Sequence, residues 1–239
     1  MIARALHIAS ALIAVVTLVL GAPQAAAQGA TAARQAAAPA PAANPLAKWQ
    51  VGRHYRVLSP AVPTSVAPGK VEVVEVFWYG CGACYILDPQ LESWKRTKPA
   101  AAEFVRVPVT WNDNAKRHAK LYYTLQSLKQ LDRLHTKVFD TIHRGGNVLI
   151  GRDDASSLAA QRDWAKANGA DATAFTNTWN SMSIDVKVRQ ADDLVRRYRA
   201  EGTPYMVVAG KYATDVSMAG GVPEMLALIN AMVAAESRR

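Results

Sequence analysis

The most regular hydrophobic run in the chain is Val71–Phe77, VEVVEVF, in which β-branched residues dominate. A short apolar run of this composition predicts a buried strand. Two cysteines, Cys81 and Cys84, follow in the pattern C-x-x-C. Leu87 and Leu91 then lie four residues apart, a spacing typical of a helix. The pattern therefore places both thiols where a strand turns into a helix.

Other short apolar runs predict further strands on both sides of this one. Tyr55–Leu58 precedes it, and Phe104–Val109 follows it. Pro108 confines the latter to an edge or an end of the sheet, because proline cannot donate a ladder hydrogen bond. Near the C-terminus, Tyr205–Ala209 and a partner around Tyr212 are strand candidates. Together these runs predict a small sheet.

The stretch between the two groups of strands has the apolar spacing of helices, from residue 115 to about residue 198. The spacing changes at Gly202-Thr203-Pro204, and Pro223 opens a last amphipathic helix. We therefore predict an α/β fold with a helical domain inserted in its middle. Its predicted parts are a first part at 49–113, a helical insertion at 114–199 and a second part at 200–239.

The first 48 residues have a different pattern. Arg4 precedes an uncharged apolar run, Ile8–Leu20, and small residues end at Ala27. This order predicts a secretory signal peptide at 1–27 and export to the periplasm, with an uncleaved membrane anchor as the alternative. Residues 28–48 are rich in alanine and proline, which predicts a disordered tether.

Composition narrows the chemistry of the cysteine pair. The chain has only these two cysteines, and a C-x-x-C bridge closes too short a loop to stabilise a fold strongly. The histidines share no metal-ligand spacing, so no metal site is expected. The net charge of +9 is scattered, and no nucleic-acid motif is present. Redox chemistry is the favoured explanation, and nucleic acid is not an expected partner.

Three features together resemble the DsbA family of periplasmic thiol:disulfide oxidoreductases: F-W-Y-G-C-G-A-C-Y, the helical block, and G-T-P before a strand. The resemblance runs from Trp49 to the C-terminus. It implies a thioredoxin-like fold and a monomeric protein dithiol oxidase without a cofactor beyond its own redox-active disulfide. It also implies reduced, unfolded exported proteins as substrates and a membrane reoxidase of the DsbB type.

The resemblance also assigns roles to residues. Cys81 is the implied nucleophile and Cys84 its buried partner. Pro204 matches the cis proline opposite the active site, and the backbone of Thr203 is expected to pair with an extended substrate. Glu75 matches a buried acid that relays protons to Cys84. From the residues alone, Glu75 at a solvent-facing sheet edge and Gly-Thr-Pro as an ordinary turn are alternatives.

The dipeptide between the cysteines departs from the family, in which Pro-His is commonest. Here Gly82 and Ala83 offer only backbone N–H groups. At a helix start these groups stabilise a thiolate. We therefore expect a Cys81 pKa below that of a free cysteine, but less depressed than in Pro-His members. A disulfide isomerase or reductase, and a non-catalytic exported binding protein on the same scaffold, are the alternative functions.

Overall fold

A computed structural model describes residues 44–238. The predicted signal peptide, 1–27, and most of the predicted tether, 28–48, lie outside the described residues. The last five tether residues form a hydrogen-bonded turn, and Leu46 packs against the core. No helix within residues 44–238 is long and apolar enough to cross a membrane.

The described residues contain five strands in one mixed sheet, in the order β1-β5-β4-β2-β3. The strands are β1 Arg56–Val57, β2 Val71–Phe77, β3 Ala102–Pro108, β4 Tyr205–Val208 and β5 Tyr212–Thr214. Strand β2 pairs parallel with β3 and antiparallel with β4. It has the predicted bounds, and every one of its seven residues is buried. Strand β3 is an edge strand that ends at Pro108, as its proline predicts.

Eight helices accompany the sheet within the described part of the chain. They are α1 Gly82–Thr97, α2 Asp113–Ser127, α3 Leu131–His143, α4 Asp154–Ala167, α5 Ala172–Trp179, α6 Met182–Arg197, α7 Val216–Ala219 and α8 Val222–Glu236. Helices α2 to α6 lie between β3 and β4 along the chain. Side-chain caps begin several of them: Asn112 accepts from the Ala115 N–H, and Asp153 forms a capping box with Ser156.

The alternation along β2 divides the core into two layers. Val71 and Val73 pack in the same cluster as Leu87 of α1 and residues of α8. Val74 and Val76 face the other way, into the cluster that includes the helical insertion. Because side chains alternate along a strand, Glu75 shares the α1 side with Val71 and Val73. A carboxylate is thus buried in the layer beneath the helix that carries the cysteines.

Candidate active site

The cysteine pair lies at the strand–helix junction that its sequence predicts. Strand β2 ends at Phe77, a short turn follows, and Cys81 is the N-cap of α1. Its backbone N–H donates to the Trp78 carbonyl at 2.9 Å, and its sulfur accepts from the Cys84 N–H at 3.4 Å. A Cβ on Gly80 would lie 2.5 Å from the Trp78 ring, so any larger residue at this position would force that ring to move.

The two thiols have opposite acidities, and both are free in this structure. The pKa of Cys81 is lowered to about 5, chiefly by the Cys84 thiol and, against the effect of burial, by the Thr203 hydroxyl and the N–H groups of Cys84 and Ala83. Burial raises the pKa of Cys84 far above its ordinary value, and the Cys81 and Glu75 charges add to this. Cys81 therefore carries the negative charge of the reduced pair, while Cys84 keeps its proton.

The segment before β4 brings two further predicted residues to the site. The Thr203–Pro204 peptide bond is cis, and the Thr203 carbonyl oxygen lies 3.3 Å from the Cys81 sulfur. A groove of about 470 Å³ runs beside this contact, and both residues line it. Ala83 and Ile86 of α1 line the opposite wall, and the Ile86 side chain is 70% exposed. The arrangement offers an apolar surface next to the half-buried Cys81 sulfur.

Behind the cysteines lies a buried group of charges, which we call the charged cluster: Glu75, Asp88, Glu92 and Arg106. The Arg106 guanidinium donates to Glu75 at 2.8 Å, to Asp88 at 2.9 Å and to Glu92 at 3.0 Å. Glu75 lies opposite Arg106 in the β2–β3 register. Its second oxygen, Oε1, accepts no hydrogen bond from any described residue. One cation thus serves three carboxylates.

The three carboxylates differ in acidity. Burial raises the pKa of Glu75 despite the opposing charge of Arg106. Burial also acts on Asp88, but the contacts of its carboxylate with His135, Arg106 and Thr136 outweigh burial, and the pKa falls. For Glu92, Lys95 and Arg106 outweigh burial and lower the pKa. Glu75 is therefore the member of the cluster best suited to hold and release a proton.

A buried histidine extends the cluster toward the turn before Cys81. The Tyr79 hydroxyl lies 2.8 Å from His135 Nδ1, and His135 Nε2 lies 3.3 Å from Asp88. Burial and the Arg106 charge lower the pKa of His135 to about 4, so its imidazole is neutral near pH 7. In a neutral ring Nδ1 can accept from the Tyr79 hydroxyl, whereas Nε2 makes no hydrogen bond to any described residue although it lies close to Asp88.

Sequence reasoning assigned no role to Asp88, Arg106 or His135. A signal for Arg106 was available, because it interrupts the apolar alternation of β3 as Glu75 interrupts β2. Two opposite charges at matching positions of adjacent buried strands indicate an ion pair. Within residues 44–238, no group of three or more His, Cys, Asp or Glu side chains could hold a metal ion.

Comparison of the sequence with known proteins shows which family the chain resembles. The model of the DSBA-like thioredoxin domain matches residues 100–232, more than half of the chain. The thiol:disulfide interchange protein DsbA of Pseudomonas aeruginosa PAO1 is 35% identical over 188 residues, 79% of this chain and 86% of the relative. The DsbA of Burkholderia cepacia is 32% identical over 182 residues, 76% of this chain and 83% of the relative.

A solved structure agrees with these relatives. The crystal structure of Pseudomonas aeruginosa DsbA superimposes with a TM-score of 0.73 at 34% identity, covering 80% of this chain and 96% of the other. The fold is thus the thioredoxin-like α/β fold with a helical insertion, as predicted. Together with the cysteine pair, these relatives define the protein as a thiol:disulfide oxidoreductase. This chain belongs to the DsbA family. Membership indicates, in general terms, protein substrates and a partner of the DsbB type.

Proposed function

We propose that the chain oxidises thiol pairs of reduced, unfolded exported proteins in the periplasm through the Cys81–Cys84 disulfide. The observation that carries this proposal is the contrast between Cys81, with a pKa of about 5, and its buried partner. A stabilised Cys81 thiolate favours the reduced form of the pair and so makes its disulfide a stronger oxidant. The low pKa also makes Cys81 a good leaving group.

The reaction proceeds through one mixed disulfide. A substrate thiolate attacks the Cys81 sulfur, the Cys81–Cys84 bond breaks, and Cys84 leaves with the electron pair and takes up a proton. A second substrate thiolate then attacks the substrate sulfur of the mixed disulfide. Cys81 leaves as a thiolate, so the substrate loses two electrons and the cysteine pair gains them.

Glu75 is the proposed proton donor and acceptor for Cys84. Its oxygen Oε1 has no hydrogen-bond partner among the described residues, and its charge acts on the Cys84 pKa. Water between the carboxyl group and the sulfur would pass the proton. The raised pKa of Glu75 favours this role at neutral pH.

The groove beside Cys81 is the proposed docking surface for substrates. Its apolar wall around Ile86 suits the exposed apolar side chains of an unfolded chain. Thr203 and Pro204 border the sulfur, where the Thr203 backbone can pair with an extended substrate. Ala83 lines the groove with only a methyl group, and a Cβ on Gly82 would meet no atom within 4 Å, so neither residue obstructs access to Cys81.

We further propose that a membrane reoxidase of the DsbB type regenerates the disulfide. The same groove and the same sulfur would serve this partner. The enzyme acts as a monomer, and the proposal requires no cofactor besides the disulfide. The cysteine pair takes two electrons from the thiols of the substrate and passes them to a disulfide of the reoxidase, which is reduced as the Cys81–Cys84 disulfide forms again.

Two single substitutions and one potential test the proposal. With a reduced, unfolded substrate protein, Cys81→Ser should abolish oxidation. With a substrate that carries a disulfide, the Cys81 thiolate of Cys84→Ser should attack that disulfide, and the mixed disulfide should accumulate because Cys84 is no longer there to release it. The Cys81–Cys84 potential, measured against glutathione, should be oxidising. A strongly reducing potential would assign a reductase instead, and unchanged biological function of Cys81→Ser would assign a binding protein.

A further inference from the structure

His143, the last residue of α3, touches the chain on both sides of the cysteine pair. Its Nε2 atom lies 2.8 Å from the backbone carbonyl oxygen of Tyr79, two residues before Cys81. Its ring stacks on the ring of Tyr85, which follows Cys84 directly, with centroids 4.9 Å apart and planes at 9°. One partly buried imidazole therefore joins the turn before the first cysteine to the helix turn after the second.

The rest of α3 supports both ends of this arrangement. The Tyr85 hydroxyl donates to Asp140 at 3.1 Å, so the Tyr85 side chain is held by two residues of the last turns of α3. Tyr79 is held at two points as well, since its hydroxyl contacts His135 and its carbonyl accepts from His143. Hydrogen bonds and ring stacking from α3 of the helical insertion thus hold the segments on both sides of the cysteine pair, in addition to apolar packing.

These contacts matter because the Cys81 thiolate is stabilised only when its sulfur is aligned with the N–H groups at the start of α1. The Cys81 sulfur faces the N–H groups of the first turn of α1, with the Cys84 nitrogen at 3.4 Å. Hydrogen bonds weaken steeply as their distance and angle depart from the optimum. A small shift of the turn before Cys81, or of the helix turn that carries Tyr85, therefore weakens the contacts that favour the thiolate.

We propose that His143 is a positioning residue of the redox site, which keeps the Cys81 sulfur aligned with the start of α1 by fixing the backbone before Cys81 and the helix turn after Cys84. The proposal rests on the proposed role of Cys81 as the nucleophile. It gives the helical insertion a direct part in the chemistry of the thioredoxin-like domain. His143 itself exchanges no electrons and no protons with the substrate.

Three substitutions at one position separate the two contacts. His143→Gln keeps a side-chain N–H for the Tyr79 carbonyl but loses the ring. His143→Phe keeps the ring but loses the N–H, and His143→Ala loses both. For each variant, thiolate absorbance gives the Cys81 pKa and glutathione equilibria give the potential. We expect His143→Ala to raise the Cys81 pKa by about one unit, which corresponds to a tenfold change in the ionisation constant.

The intermediate variants should fall between wild type and His143→Ala. The potential should become more reducing in the same order, by about 30 mV for each tenfold change in the equilibrium constant. His54→Ala is the matched control, because the His54 ring also bonds a backbone group, the Gln50 N–H, and contacts an aromatic ring, that of Trp49, but neither partner belongs to the segments around the cysteines. It should leave the Cys81 pKa close to wild type. Circular dichroism confirms that each variant is folded.

Two outcomes would overturn the proposal. In the first, His143→Ala has the wild-type Cys81 pKa and potential, so that any loss of stability is purely structural. In the second, Gln, Phe and Ala raise the Cys81 pKa equally, which would show that neither the N–H contact with Tyr79 nor the stacked ring accounts for the effect separately. Retained oxidase activity in Cys81→Ser would refute the proposed function instead, and the titrations of the His143 variants remain interpretable in that case.

Discussion

Helix α1, which begins at the cysteine pair, has two faces with contrasting environments: one is polar and largely buried, and the other is apolar and open. Cys84, Asp88 and Glu92 recur every four residues and so share the face that meets Arg106 and Glu75. Ala83 and Ile86 lie on the face that lines the groove. The first face is polar and largely buried, and the second is apolar and open.

The comparison shows how one helix serves two reaction steps. A partner must reach Cys81 from outside, which an open apolar groove permits. Cys84 must gain and lose a proton out of solvent, for which a buried carboxyl group is needed. Helical periodicity alone assigns the residues to these tasks, because positions one residue apart point about 100° apart around the helix axis.

The largest expected difference between the faces concerns the charge of Cys81. Its pKa in the folded, reduced protein is lowered to about 5, well below that of a free cysteine. A depressed pKa stabilises the folded, reduced form above the unfolded pKa, and this contribution is lost as the pH falls through the folded pKa. The stability of the reduced form relative to the oxidised form should therefore decrease steadily from pH 9 to pH 5.

Urea unfolding of both redox forms at several pH values measures this dependence. The oxidised form has no Cys81 thiol to titrate, so it provides the internal reference. A difference between the two forms that does not change between pH 5 and pH 8 would contradict the assignment of the charge to Cys81.

On the buried face, Arg106→Met should have the largest effect on stability. The substitution leaves Glu75 and Asp88 buried without their cation, and removing one partner of a buried ion pair costs about 3–5 kcal/mol. Lys95→Met is the matched control, because Lys95 contacts Glu92 at the same 3.0 Å in a more exposed pair. That control should cost less than about 1 kcal/mol.

The free energies of unfolding in urea decide between these values. Glu75→Gln added to Arg106→Met should recover part of the loss, because it removes one of the uncompensated charges. If Arg106→Met is no more costly than Lys95→Met, the charged cluster does not contribute to stability in the way its geometry indicates.

Much of the open face was predictable from the sequence, whereas little of the buried face was. The strand Val71–Phe77 and the junction at Cys81 follow from an apolar run and a C-x-x-C pattern, which are local in sequence. Thr203 lies 122 residues from Cys81, and only the resemblance to a family linked them. Local periodicity contains no information about such a distant contact.

The charged cluster and His143 were harder to predict for a different reason. A polar residue on an amphipathic helix is most often solvent-exposed, so Asp88 has no distinctive local pattern. The charge of Arg106 within β3 becomes a signal only beside the matching charge of Glu75 in β2. The histidines were considered as metal ligands, and spacing along the sequence excluded that role. The contacts of His135 and His143 with Tyr79 depend on how α3 packs against the turn before Cys81, which no spacing reveals.

The proton route is the next prediction on the buried face. Glu75→Gln should slow the attack of Cys84 on a mixed disulfide at Cys81 about a hundredfold, a typical contribution of general acid–base catalysis. The wild-type rate should increase with pH as Glu75 loses its proton, and the variant should lack that step. Rapid-mixing fluorescence over a range of pH values measures both.

Glu72→Gln is the matched control for this prediction. Glu72 is also a buried glutamate of β2, but it accepts hydrogen bonds from Ser65 at 2.8 Å and 2.6 Å near the opposite end of the strand. Its substitution should leave the rate of Cys84 attack and its pH profile unchanged. Equal rates for wild type and Glu75→Gln would remove the relay.

The smallest expected effect belongs to the open face. Ile86→Ser should raise the KM for an apolar cysteine-containing peptide roughly tenfold, because burying an isoleucine side chain contributes about 1.5–3 kcal/mol when it is complete. The Cys81 pKa should not change, since Ile86 is not among the groups that lower it. Met182→Ser is the control: Met182 is 79% exposed but does not line the groove. A rise in KM common to both variants, or a fall in kcat without a rise in KM for Ile86→Ser, would show that the groove is not where substrates bind.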